Sequence, residues 1–245
     1  MVGRRWKRKR LWAAALWTCM LPSCAAAPAR RLLPAPDRAS TGAAAAAPNP
    51  WPRREVLDLA LEAYQCGRAQ GLFDQPTLTV IDYSLPSTAK RLWVIDLQQR
   101  RVLFNELVAH GERSGDTVAS AFSNRFGSKQ SSLGLFRAED TYFGRHGVAL
   151  RLNGLEPGVN DHARERAIVM HGADYVSSDH IAVWGKLGRS WGCPAIDSAV
   201  SPRLIDRIRG GSAIFAYYPD RDWLGSSTFL HCDARWAKAD GKDAR

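Results

Sequence analysis

A chain of 245 residues, 45% of them hydrophobic, is long enough for one domain of about 150 to 200 residues with a substantial core, and it shows no internal repeat. Its formal net charge of +10 is concentrated at the start: residues 1–27 carry six basic and no acidic side chains, and without them the charge falls to +4. What remains is mild and scattered, which excludes a nucleic-acid-binding stripe and leaves only a weak attraction to polyanionic surfaces.

Arg4, Arg5, Lys7, Arg8, Lys9 and Arg10 precede an almost wholly apolar run at 11–21 and small residues at 23–27. A basic start, a short apolar stretch and a small-residue zone read as a secretory signal over residues 1–27, because so short a run does not span a bilayer core of roughly 30 Å. Two cleavage routes fit. One is ordinary cleavage after Ala25, Ala26 or Ala27, with Pro28 disfavouring the last; the other uses "LPSC", a lipoprotein box ending at Cys24 with an atypical Pro22 inside it. The expected place is therefore the cell envelope, on its periplasmic side, with membrane attachment through a lipid on Cys24 as the second route. Residues 28–50, "PARRLLPAPDRASTGAAAAAPNP", read as an Ala/Pro-rich linker, and folding is expected to begin near Trp51.

Residues 51–77 form a helical segment: Leu57, Ala60, Leu61 and Tyr64 recur at helical spacing over 54–71, with Gly67 and Gly71 as stop signals. The period then changes to two. Strands are expected at 78–84, 91–97, 101–111, 132–139, 147–154, 166–172 and 211–219, with "QQR" at 98–100 in a hairpin position. One late helix has Ser201 as N-cap, Pro202 at the first helical position and Leu204, Ile205 and Ile208 on one side. The fold class is mainly β, a sandwich or closed sheet with a few flanking helices, over residues 78–222; residues 223–245 read as a solvated tail. If cleavage falls beyond Cys24, the five cysteines reduce to Cys66, Cys193 and Cys232, an odd number that leaves open whether Cys66 and Cys232 pair. No zinc spacing is present, and no metal or cofactor is expected.

The stretch "HGADYVSSDHIAVWGKLGRSWGCPAID" (171–197) carries the chemistry. A working thiol needs a base nearby and an exposed seat on a tight loop. Gly192 frees the backbone before Cys193 and Pro194 stiffens it after, while Gly185 and Gly188 allow a curved approach that turns N–H groups toward one spot, as an oxyanion hole requires. His171 ends the apolar "AIVMHG". On spacing alone, an inert apolar cysteine fits equally well, and a lone histidine at a strand end is more often a hydrogen-bonded structural residue than a base.

"HG" at a strand end followed by "RSWGCPA" resembles the signature of the YkuD-type L,D-transpeptidases of bacterial cell walls. "HGERSGD", "FSNRFGSKQSSLGLF", "TYFGRHGVALRLNGLEPGVNDHARERAIVMHGADYV" and "GRSWGCPA" are similar to the branch called the murein L,D-transpeptidase catalytic domain family, and the likeness runs over residues 78–218. It implies a YkuD-like β-fold acting on peptidoglycan stem peptides. Cys193 is then the nucleophile, His171 the base, and Gly172 the carbonyl that orients it. Ser190 and Gly192 belong to the cysteine motif, with the N–H groups of Gly192 and Cys193 holding the oxyanion. The implied reaction forms a thioester with a stem tetrapeptide and passes it to an amine; alternatives are an L,D-carboxypeptidase or amidase releasing to water, and a non-catalytic peptidoglycan-binding envelope protein. Where many of the family carry an arginine two residues after the cysteine, this chain has Ala195, and Arg189 or Arg164 is nearest in sequence to replace it.

His110, Ser123, Asn124, Arg189 and Trp191 are the expected substrate-facing residues, with a structural role for His110 and a core role for Trp191 as the competing readings. His180 stands behind His171 as base, because "SSDHIAVWG" reads as a loop. Asn160, Asp161 and Arg166 fit turn caps better than ligands. A papain-type protease is disfavoured, since there the nucleophile precedes the histidine.

Overall fold

The computed structural model describes residues 50–232. The signal segment, Cys24, the linker up to residue 49 and the chain beyond 232 lie outside the described residues.

The chain opens with helix α1 (Arg54–Ala69), then strands β1 (Thr77–Asp82), β2 (Leu92–Asp96), β3 (Arg101–Glu106) and β4 (Val108–Ala109). After a long loop come β5 (Gly134–Gly144), β6 (Gly147–Gly154) and β7 (Val169–Ala173), then helix α2 (Ser178–Trp184), β8 (Ala195–Asp197), α3 (Ser201–Ile208), β9 (Ala213–Tyr217) and α4 (Arg221–Ser226). The nine strands form one mainly antiparallel sheet in the order β3-β2-β1-β9-β5-β6-β7-β8-β4. Its two edges, β3 and β4, are consecutive in the chain with only Leu107 between them, so the sheet must curl until its edges nearly meet. That resolves the choice between sandwich and closed sheet. The expected single strand over 101–111 is broken at Leu107, where it leaves one edge and joins the other.

Helix α3 packs against β1 and also against β6 and β7, which β9 and β5 separate from β1. It reaches both only from the concave side of the curled sheet. There it buries Leu204, Ile205 and Ile208, each stabilising by about 1.5 to 3 kcal/mol. Ser201 is not the N-cap: it is the first helical residue, after Val200, and its hydroxyl donates to the Ser198 carbonyl at 3.3 Å. Helix α1 packs against β1 and β9, and both strands, like β2, are buried along their whole length. Its buried face is Val56, Ala60, Ala63, Tyr64, Cys66 and Gly67, and Leu57 and Leu61 flank it; the smallest residues sit closest to the sheet because they admit it.

The segment expected as a solvated tail is packed through its first ten residues. Trp223, Phe229 and Leu230 are buried, Trp223 Nε1 donates to the buried Glu156 at 3.0 Å, and Cys232 is disulfide-bonded to Cys66 of α1. Polarity at 231–245 hid this, because the anchors are three scattered apolar residues and a cysteine without a period. Glu156 also accepts from the Leu135 N–H at 2.8 Å, and Asn160 caps the same turn by accepting from the Glu156 N–H at 2.8 Å.

The disulfide closes a long loop, so Cys66→Ser is expected to lower stability by about 2 to 5 kcal/mol. Urea unfolding of the two proteins, with and without reductant, checks this; reductant should lower the parent and leave the variant unchanged.

Candidate active site

Strands β7 and β8 pair in parallel with His171 opposite Ala195 and Gly172 opposite Ile196. Cys193 lies two residues before that pair, on the loop entering β8. His171 and Cys193 line one cleft of about 640 Å³ with Tyr142, Arg145, His146, Tyr175, Arg189, Ser190 and Trp191.

The loop of Cys193 is held by a set of side-chain and backbone bonds. Ser190 Oγ accepts from the Gly192 N–H at 3.1 Å and donates to the Cys193 carbonyl at 2.6 Å. Ser131 Oγ donates to the Gly192 carbonyl at 3.1 Å. Gly192 has φ +119, and a Cβ there would lie 2.7 Å from the Gln130 carbonyl oxygen, so no other residue fits. The Gly192 N–H is thus engaged by Ser190, which corrects its expected share in an oxyanion hole. The Cys193 N–H has no hydrogen-bond partner among the described residues.

The Cys66–Cys232 pairing leaves Cys193 as the free cysteine of the described residues, half-buried. Its Sγ meets the Val169 N–H at 3.5 Å and the Ala167 carbonyl at 3.8 Å. Ala167 is left-handed at φ +55, an unfavourable conformation for alanine that directs these groups along the sulfur. Burial pushes the thiol above its ordinary value of 9.0, opposed by the Val169 N–H and the charges of Arg166 and Arg145.

His171 is buried, and its Nδ1 lies 2.9 Å from the Gly172 carbonyl oxygen. A carbonyl only accepts, so Nδ1 carries the proton and the neutral ring keeps its lone pair on Nε2. Burial holds the imidazole below its ordinary 6.5; the Gly172 bond opposes this, and the charges of His146 and Arg145 add to it. His146 stacks on His171 with ring centres 4.6 Å apart. Both Arg145 and His146 come from the tip of the β5–β6 hairpin, and both were missed from sequence. The signal was present in "FGRHG", a basic pair bracketed by glycines between two strands.

The other expected residues divide. Arg189 reaches the cleft, pairing with Asp116 at 3.2 Å and donating to the Gly115 carbonyl at 3.1 Å. Trp191 is 66% exposed with Lys129 Nζ 4.6 Å above its ring, and Trp184 is 67% exposed, so neither fills the core. His180 is on the exposed helix α2, not in a loop. Arg164 pairs with Glu139 away from the cleft lining.

His110 is not at the cleft surface: it is wholly buried, with Nδ1 2.8 Å from Arg91 and Nε2 3.3 Å from the Gly115 carbonyl. Its own carbonyl accepts from the Ser190 N–H at 3.0 Å, so it supports the cysteine loop from behind. Ser123 and Asn124 are likewise engaged within the protein. The Ser123 carbonyl accepts from Ser132 and Arg166, while Asn124 donates to Asp161 at 2.6 Å and accepts from the His162 N–H at 3.1 Å. Polar residues in loops read as substrate ligands because their partners, 9 to 43 positions away, are invisible along the chain. Among the described residues no group of three or more His, Cys, Asp or Glu is placed to hold a metal ion.

Residues 49–217 match the family model of the L,D-transpeptidase catalytic domain. The chain belongs to that family. No curated protein matches the chain. Among solved structures it is similar to an L,D-transpeptidase from Mycobacterium smegmatis (14% identity, TM-score 0.37, 58% of this chain and 59% of that one). It is similar also to the helical cell shape determining protein Pgp2 from Campylobacter jejuni (12%, 0.41, 61% and 50%) and to Bd1075 from Bdellovibrio bacteriovorus (14%, 0.38, 68% and 56%). The match thus spans less than two thirds of each of these structures. The L,D-transpeptidase family assignment rests on the sequence match.

The buried His110 gives this L,D-transpeptidase-family domain a specific acid sensitivity. Burial and the Arg91 charge push its pKa down to about 4. The folded ring therefore stays neutral where the unfolded one takes a proton near 6.5, and stability present above 6.5 is lost as pH falls toward 4. The expected loss is on the order of 3 kcal/mol, read as urea midpoints at pH 7 and pH 4.5, and His110→Gln should flatten this part of the curve.

Proposed function

We propose that the protein is an L,D-transpeptidase of the cell wall, exported to the envelope, with Cys193 as nucleophile and His171 as base. The observation that carries this is the Nδ1–H bond to Gly172, which leaves Nε2 as proton acceptor in the cleft that also holds the free thiol.

The Cys193 proton passes to His171 Nε2, and the thiolate attacks the carbonyl carbon of the third, diamino residue of a stem tetrapeptide. The tetrahedral oxyanion finds the unpartnered Cys193 N–H. Collapse breaks the peptide bond; His171 returns its proton to the leaving amine of the terminal D-alanine, and a thioester remains. An acceptor amine then gives a proton to His171, attacks the thioester and releases the thiolate, forming a cross-link. Water in place of the amine makes the same site an L,D-carboxypeptidase. In the resting state thiol and imidazole are both neutral, because burial disfavours charge on each.

The test is intact mass and product chromatography with a tetrapeptide muropeptide. A thioester adduct with cross-linked dimer is expected; tripeptide alone would make the enzyme a hydrolase, and neither would leave a binding protein. Cys193→Ala should abolish acylation, and His171→Ala should slow it by about 10² to 10⁴; His180→Ala should change it little, and a large loss there would reassign the base. Acylation requires neutral His171, so its rate should fall with decreasing pH around a midpoint below 6.5.

A further inference from the structure

Arg166 lies in the turn leading into β7, half-buried, and its guanidinium meets four oxygens of which none is a carboxylate. Nη1 donates to the Ser123 carbonyl and to Ser132 Oγ, both at 2.6 Å; Nη2 donates to the Gln130 carbonyl at 2.7 Å and to Ser128 Oγ at 3.1 Å. A partly desolvated arginine is ordinarily neutralised by an acid. Here the charge is fixed by four bonds and paired with no carboxylate among the described residues.

Two connections tie this cation to the sulfur. Along the chain, the next residue is Ala167, whose carbonyl faces Sγ at 3.8 Å, and Val169 follows with its N–H at 3.5 Å. Through space, the Gln130 carbonyl that Arg166 holds is the atom packed against Gly192, one residue before the cysteine. The same four bonds therefore hold the loop behind Gly192 and fix where the positive charge stands.

We propose that Arg166 is a positioning residue for Cys193: paired with no carboxylate among the described residues and fixed by four bonds one residue before the Ala167 carbonyl that meets the sulfur, its charge, together with the Val169 N–H, favours the thiolate over the thiol. This rests on the reading of Cys193 as the nucleophile. The guanidinium neither gives nor takes a proton; the proton leaving Sγ goes to His171 in turnover and to solvent in titration. The other charged or titratable groups around the sulfur are Arg145 and His146 on the hairpin, His171 on β7, Tyr83 after β1, Tyr175 after β7 and Arg189 beside the cysteine. Of the two arginines that pull the buried thiol down, Arg166 has the larger effect. Among the described residues, Arg145 is held by a bond to its neighbour His146.

Reaction of the full-length protein with iodoacetamide tests this without any wall substrate, so a failure here and a failure of transpeptidation are separate results. The thiolate displaces iodide, and the rate on the Cys193 peptide is followed by mass spectrometry against pH. Arg166→Gln should raise the midpoint by about one unit, slowing alkylation near pH 7 about tenfold. Arg166→Lys keeps the charge but not the four bonds and should shift it less. Ser128→Asp keeps the arginine and sets a carboxylate beside Nη2; it too should raise the midpoint, and it decides the matter if Arg166→Gln does not fold. An unmoved midpoint in Ser128→Asp, or a shift in Arg166→Lys as large as in Arg166→Gln, would reduce Arg166 to a fastener of the loop and overturn the proposal.

Discussion

Parallel strands keep a constant stagger, so the pairing of β7 with β8, His171 opposite Ala195, sets where the loop before β8 must sit relative to the histidine. A slip of one residue would turn His171 to the other face of the sheet and separate it from the cleft. The rest of the architecture keeps that pair in register. Strand β4 covers the outer edge of β8 with Val108 opposite Ile196 and Ala109 opposite Ala195, and α3 packs beneath β7. Strand β4 is available for this only because the chain crosses from one sheet edge to the other at Leu107.

Around that pair the molecule uses buried cations where acids might be expected. Arg91, fully buried, donates to the Val108 and Leu85 carbonyls and to His110, with burial pulling it down to about 10. Arg166 does the same in the 123–132 loop. Each fastens two backbone carbonyls and further side-chain partners at once, which suits a planar guanidinium with five donors in a fixed fork. The two loops so fastened, 110–115 and 128–132, are those that grip Ser190 and Gly192. Rigidity in the cysteine loop thus derives from polar contacts on its rear side, and the cleft side stays open.

The His171 imidazole and the Cys193 thiol are both neutral by construction. Burial lowers the imidazole and raises the thiol, and each opposing bond comes from the backbone: the Gly172 carbonyl on one side, the Val169 N–H on the other. Fixed dipoles do not rearrange when charge moves, so a proton transfer between the proposed nucleophile and base would need little reorganisation.

Much of this was legible from the chain alone. Alternating apolar residues located β1, β2, β6 and β9, helical spacing located α1 and α3, and the glycines and proline around Cys193 marked a tight loop there, because these features act within a few residues of themselves. What the tertiary structure decided depends on partners far apart in sequence. The curl of the sheet, the Cys66–Cys232 pairing, the burial of His110 and of Trp223, Phe229 and Leu230, and the capture of the Gly192 N–H by Ser190 were of that kind. So was the hairpin that brings Arg145 and His146 over His171. A side chain's type is written in the sequence, but whether it faces substrate or satisfies a buried carbonyl depends on which distant segment the fold places beside it.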